Sequence, residues 1–167
     1  FAIARRTGPD NLKLIIIGDE LSKYPVLRQS VHRHKLDKHV RFLGFQPQET
    51  LAAFYRLARA FVFPSLYEGF GLPVLEGLAH GIPIACSDIP PHREIAQDAA
   101  VYADPRDVGS IADAIVRACC DDDLRDRLAV AGPIRAQQFA PERVARAAVR
   151  AGQAVGAAAG AAAHPLG

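Results

Sequence analysis

Two glutamates, Glu68 and Glu76, stand with seven residues between them in the stretch Phe63-Pro64-Ser65-Leu66-Tyr67-Glu68-Gly69-Phe70-Gly71-Leu72-Pro73-Val74-Leu75-Glu76-Gly77. A carboxylate accepts two hydrogen bonds from neighbouring hydroxyls, which is how acidic residues hold a ribose diol in nucleotide-binding folds. Between the glutamates lie Gly69 and Gly71, which suit a tight turn, and Pro73, which suits a first helical turn because its missing N–H leaves nothing unpaired there. A helix start carries free N–H groups and the positive end of the dipole, so it favours an anion such as phosphate. The pattern therefore offers two diol acceptors around a phosphate cradle, with one glutamate for ribose, the other for a second sugar and a diphosphate between. The plainer alternative is that Glu76 complements the helix dipole, worth about 0.3–1 kcal/mol, and that Glu68 is a solvated loop residue.

The elements that must position this stretch follow from hydrophobic patterning. Residues 60–63, Ala-Phe-Val-Phe, form a short apolar run that predicts a buried strand, and Pro64 ends it. Leu14-Ile15-Ile16-Ile17 is a continuous aliphatic run, which predicts a strand buried on both faces, and Gly18-Asp19 follows it. A helix with a polar face is expected over residues 21–35. Val40-Arg41-Phe42-Leu43 is the next strand, closed by Gly44. Pro47-Gln48-Glu49 opens a helix to about Arg59, with Leu51, Phe54, Tyr55 and Leu57 expected on its apolar face. Residues 82–86 predict a strand with Pro83 at its start, and a short helix with Arg93 and Glu94 follows Pro90-Pro91. Residues 99–103 predict a last short strand, then a helix capped by Asp107 or Ser110 and another opened by Asp121-Asp122-Asp123.

Strands alternating with helices predict an α/β fold, a Rossmann-like parallel sheet with helices on both faces. Ligands of such sheets sit outside the carboxyl ends of the strands. The turns at Gly18-Asp19, at Gly44, at the glutamate loop and at Ser87 all fall on that edge, which makes the crevice there a nucleotide site.

The chain of 167 residues is one domain in length, half apolar and 23% charged, with a formal net charge of +2. So small a charge gives no support to nucleic acid as a partner. Three cysteines do not make a disulfide framework and fit a reducing, cytoplasmic setting. No apolar run of about 18 residues predicts a membrane span. The triple Asp reads as a helix cap, and His32, His34 and His39 as part of a solvated basic face; no metal is expected. Residues 1–150 are assigned to the nucleotide-binding domain and residues 151–167 to an Ala/Gly-rich low-complexity tail. Arg143, Arg146 and Arg150, on one side of a helix opened by Pro141, raise a peripheral contact with an anionic membrane, although three arginines are too few to carry it.

The glutamate stretch, with its flanks Phe63-Pro64-Ser65 and Gly77-Leu78-Ala79-His80-Gly81-Ile82-Pro83-Ile84-Ala85-Cys86-Ser87, resembles the paired-glutamate motif of retaining glycosyltransferases of family 4, the group 1 glycosyltransferases, which have the GT-B architecture. The resemblance runs from Leu14 to about Val149. It implies the C-terminal, donor-binding domain of a GT-B enzyme that moves a hexose, such as mannose or glucose, from a nucleotide diphosphate sugar to a glycan or lipid-linked acceptor. It implies Glu76 on the ribose hydroxyls and Glu68 on the transferred sugar as the catalytic residue. It further implies amides of Gly69, Phe70, Gly71 and Leu72 at the diphosphate and sugar, and Gly18, Asp19, Phe42, Leu43 and Gly44 flanking the base. The nucleotide sugar is a substrate, and no cofactor is implied.

The family also has an earlier strand and a loop whose Arg and Lys neutralise the diphosphate, and an N-terminal domain that binds the acceptor; none of these is in the chain, which opens on Phe1 and reads as a fragment. In the family's sheet order the absent strand lies between strands 14–17 and 60–63. These two are therefore expected not to pair directly, and the piece alone is expected to be inactive and prone to associate. A nucleotide-sugar epimerase or hydrolase of the same architecture, or a non-catalytic nucleotide-binding module, are the alternative readings.

Overall fold

The computed structural model describes residues 1–18 and 25–140. Along the chain run α1 (Ala4–Thr7), β1 (Leu14–Ile17), α2 (Pro25–Arg33), β2 (Val40–Leu43), α3 (Gln48–Leu57), β3 (Phe61–Phe63), α4 (Leu72–Ala79), β4 (Ile84–Ser87), α5 (Pro90–Ala96), β5 (Val101–Ala103), α6 (Val108–Cys120) and α7 (Asp122–Ala136), followed by a 3-10 turn at Gln137–Phe139. The alternation is the expected Rossmann-like one, and every strand pair is parallel. The predicted helix after Pro141 and the tail over 151–167 lie outside the described residues, as does Asp19.

The strands form two sheets, β1-β2 and β3-β4-β5. Among the described residues no ladder joins β1 to β3, as the sequence reading expected. β4 is the centre of the larger sheet and is buried along its whole length. Its side chains alternate: Ile84 and Cys86 pack with Val74 and Leu78 of α4 and Ile95 of α5, while Ala85 packs with α6 and α7 through Ala114, Ala118, Leu124 and Leu128. Burial raises the Cys86 thiol to about 12, so this cysteine is an inert core residue. Pro83 sits just ahead of β4 and contributes its carbonyl alone, accepting the Phe61 N–H at 2.9 Å.

Three expectations of burial are corrected. β1 is not buried on both faces: Ile15 is 44% exposed and no residue of the strand is fully buried. Among the described residues its one ladder is to β2, and neither α2 nor α3 has a fully buried residue with which to cover it. β3 is only half buried, because it is an edge of its sheet rather than the central strand. Leu57 is 85% exposed. At 100° per residue the stripe Leu51, Phe54, Tyr55 continues to Ala58, and Leu57 falls off it.

The helix caps follow the sequence. Asp107 accepts from the Gly109 N–H, and Asp121 from the Leu124 N–H. Asp122 pairs with Arg125 and Arg59, so the triple Asp is used as a cap and in surface ion pairs.

α4, which carries Glu76, is clamped between β4 and α7. Gly132 of α7 lies against Leu78, and a Cβ there would meet the Leu78 carbonyl oxygen at 3.0 Å. Backbone cannot swing aside as a side chain can. Gly132→Val is therefore expected to lever α7 off α4 and to cost about 1–3 kcal/mol, measured as a fall in the urea midpoint at unchanged slope.

Candidate functional site

β3 ends at Phe63, and the chain then makes the glutamate loop. The Ser65 hydroxyl donates to the Tyr67 carbonyl at 2.9 Å, which tightens the loop's first bend. Gly71 takes the left-handed conformation, φ 92° and ψ 41°, and turns the chain into α4. No side chain caps this helix, and Pro73 occupies its first turn. The Gly71 carbonyl accepts from Val74 and Leu75, so the helical ladder begins there. No backbone carbonyl among the described residues accepts from the amides of Gly69, Phe70, Gly71 or Leu72. The loop thus presents a run of N–H groups without backbone acceptors at the positive end of a helix.

Glu68 and Glu76 are both partly exposed and flank this run. Glu76 has a partner that the sequence reading missed. The Tyr55 hydroxyl donates to Glu76 Oε2 over a long 3.3 Å. The Tyr55 ring stands edge-on to Phe61, centroids 5.3 Å apart, and stacks on His80 at 5.1 Å. His80 in turn hydrogen-bonds the Glu76 carbonyl through Nδ1 at 2.8 Å. Tyr55 thus links α3, β3 and α4 and orients the carboxylate, while the other oxygen stays available. The sequence signal was a phenol on an apolar helix face, where a buried ring needs a partner for its hydroxyl. Burial, and then the Glu76 charge, push the Tyr55 hydroxyl up to about 12.

The loop's apolar residues face outward: Leu66, Tyr67, Phe70 and Leu72 are all exposed. Phe70 also rests edge-on against Phe139, centroids 6.1 Å apart. The Arg135 guanidinium lies over the Phe139 ring and donates to the carbonyls of Ile95 and Glu94, so one cation ties the end of α7 to the end of α5.

Gly18, Phe42, Leu43 and Gly44 share one end of the smaller sheet, since the register pairs Ile17 with Leu43. Among the described residues a Cβ at Gly18, Gly44 or Gly69 would meet nothing within 4 Å. The Arg28 guanidinium covers the Phe42 ring at 5.4 Å. These residues lie on the carboxyl edge of their sheet, as the glutamate loop does on its own, with no ladder between the two sheets. His32 and His39 line a basic depression with Arg33, Lys35 and Lys38 at the start of β2, away from the carboxyl edge. Among the described residues no three His, Cys, Asp or Glu side chains group as a metal site.

Residues 1–135 match the family model described as glycosyl transferases group 1. The chain is 40% identical over 129 residues to O-antigen chain mannosyltransferase B of Escherichia coli, covering 77% of this chain and 34% of that protein. It is 34% identical over 111 residues to the O-antigen chain mannosyltransferase RfbU of Salmonella typhimurium, covering 66% and 31%. Its backbone matches sucrose-phosphate synthase from Thermosynechococcus elongatus with a TM-score of 0.79 at 26% identity, covering 94% of this chain and 41% of that one. The chain belongs to the group 1 glycosyltransferases and has the fold of a GT-B Rossmann-like domain. It spans about a third of the length of the curated relatives it matches.

The Tyr55 contact sets a pH dependence. The folded value lies above the ordinary 10, so the unfolded chain releases this proton first. The stability contributed by neutral Tyr55 is complete below about pH 10 and lost as pH rises to about 12. The difference in near-ultraviolet absorbance between wild type and Tyr55→Phe, titrated upward, should therefore show a phenolate midpoint near 12 rather than 10.

Proposed function

We propose that this chain is the donor-binding half of a retaining hexosyltransferase. The whole protein would transfer a hexose from a nucleotide diphosphate sugar to a glycan or lipid-linked acceptor. The observation that carries the reading is the uncapped start of α4 behind left-handed Gly71, with Glu68 and Glu76 on either side. The mannosyltransferase relatives favour mannose as the sugar.

In this reading the unmatched amides of 69–72 donate to the diphosphate. Glu76, oriented by Tyr55, accepts from the ribose hydroxyls. Glu68 accepts from the transferred sugar and holds it against the departing diphosphate. Gly18, Asp19, Phe42, Leu43 and Gly44 flank the base, where the lack of side chains at Gly18 and Gly44 leaves room. A diphosphate leaving group gathers negative charge as it departs, and donors already aimed at it lower that barrier. The positive end of α4 supplies part of the charge. The acceptor is bound by parts of the protein beyond this chain, and residues 1–167 alone bind nucleotide without transferring sugar. Among the described residues no helix is long and apolar enough to cross a membrane; a cytoplasmic place, with a peripheral contact at the membrane's inner face, is part of the proposal.

Kinetics of the whole protein test the roles separately. Glu76→Ala is expected to weaken nucleotide binding by the worth of a charge-assisted bond, about 1.5–3 kcal/mol. Glu68→Ala should mainly lower turnover, since its partner is the reacting sugar. Unchanged kinetics in both variants would overturn the assignment.

No divalent metal enters this scheme, since both carboxylates serve hydroxyls. Transfer should persist after chelation. Activity lost to a chelator and restored by manganese would refute that part.

A further inference from the structure

Ser87 and His92 are the two polar residues buried in the core of the described residues, and His92 has no exposed surface at all. His92 Nδ1 lies 2.9 Å from the Ser87 carbonyl oxygen. A carbonyl only accepts, so Nδ1 carries the proton, and Nε2 of the neutral ring presents a lone pair. That lone pair has no partner among the described residues. The ring is tilted against Phe63, centroids 5.6 Å apart. Its free edge lies against the glutamate loop: a Cβ on Gly71 would sit 3.1 Å from Cδ2 and 3.6 Å from Nε2.

A leucine or phenylalanine would fill this volume without burying an unmatched acceptor, which is a costly state for a polar atom. The loop that the ring touches carries the complementary lack, since the amides of Gly69, Phe70, Gly71 and Leu72 are donors without backbone acceptors. An orphan acceptor and orphan donors meet at the one left-handed residue of the loop.

We propose that His92 is the positioning residue of the glutamate loop. With the ring locked by the Ser87 carbonyl, Nε2 accepts one loop N–H as the loop settles on a nucleoside diphosphate. The remaining amides are thereby turned on to the phosphate oxygens. This rests on the nucleotide-sugar reading above and adds a residue to it. His92 touches no ligand; it acts through Gly71, and its effect is confined to the phosphate end of the nucleotide.

The test uses the whole protein with His92→Phe, His92→Gln and Glu76→Ala. Each is titrated calorimetrically with GDP, UDP and ADP and with the matching monophosphates, and its melting is followed. His92→Phe keeps the ring volume and removes the acceptor; it is expected to melt no earlier than wild type. It should lose about tenfold in affinity for the preferred diphosphate and less than about threefold for the monophosphate. His92→Gln restores a carbonyl acceptor and should stay within about threefold of wild type for both.

Unchanged diphosphate affinity in His92→Phe, or equal losses for the two ligands, overturns the inference. Should His92→Phe melt early, His92→Gln decides: retained diphosphate affinity supports the role, and a tenfold loss in that folded variant overturns it. Diphosphate binding that Glu76→Ala weakens and His92→Phe does not leaves the functional reading standing and removes this one. A wild-type protein that binds none of the three diphosphates removes both.

Discussion

The architecture turns on the left-handed backbone of Gly71. A residue with a Cβ would be strained at that φ, and the Cβ would press on the His92 ring. The turn matters because it leads the loop that follows β3 into α4, whose first amides have no backbone acceptors. The helix then has to lie close to the sheet, and Gly77 permits it: a Cβ there would meet Ile84 at 3.0 Å and Phe61 at 3.2 Å. Val74 and Leu78 complete the buried face, and Gly132 lets α7 close over it. Three glycines thus hold the glutamate loop and α4 in place, through the turn, the sheet contact and the helix clamp.

For the diphosphate of the proposed reading, the electrostatics of the loop are incomplete. Arg93 of α5 and Arg135 of α7 are both engaged within the domain. Arg93 forms a two-bond pair with Asp88, at 2.6 and 2.7 Å, and lies over the Tyr102 ring at 3.8 Å. Arg135 serves carbonyls of α5 and the Phe139 ring. The helix dipole is equivalent to about half a charge, which does not balance a diphosphate. In the proposed reading the rest of the countercharge comes from outside the described residues of a chain that spans about a third of its relatives.

How much of this was legible in the sequence depends on whether a feature is local. The Asp107 and Asp121 caps, Pro73 in the first turn of α4 and the glycine turn are set by residues a few positions apart, and each is where the pattern placed it. Burial was misjudged at β1 and β3, because an aliphatic run reports a strand's preference for cover and not whether cover exists. Leu57 was misjudged by including a residue off the helical stripe. Tyr55 and His92 were missed as site residues for one reason. Their partners, Glu76 and Gly71, are 21 residues away from each, and only the βαβ crossing brings them together. A hydroxyl on an apolar face was at least a hint for Tyr55. A single histidine after two prolines offered none.

The division of the strands into two sheets gives the ligand a structural part to play. In the proposed reading the base lies against Gly18 and Gly44 on one sheet, and the phosphates and sugar lie against the loop and Glu76 on the other. Tyr55 is the side chain best placed to connect them. It stands on α3, directly after β2, and reaches across to Phe61 and Glu76. A nucleotide seated along both carboxyl edges would join by contact two sheets that no backbone ladder joins. Whatever binds the folded state alone stabilises it by mass action. In that reading a site split in this way would tie donor binding to order in the domain, and the ligand that supplies the reacting sugar would complete the surface that holds it.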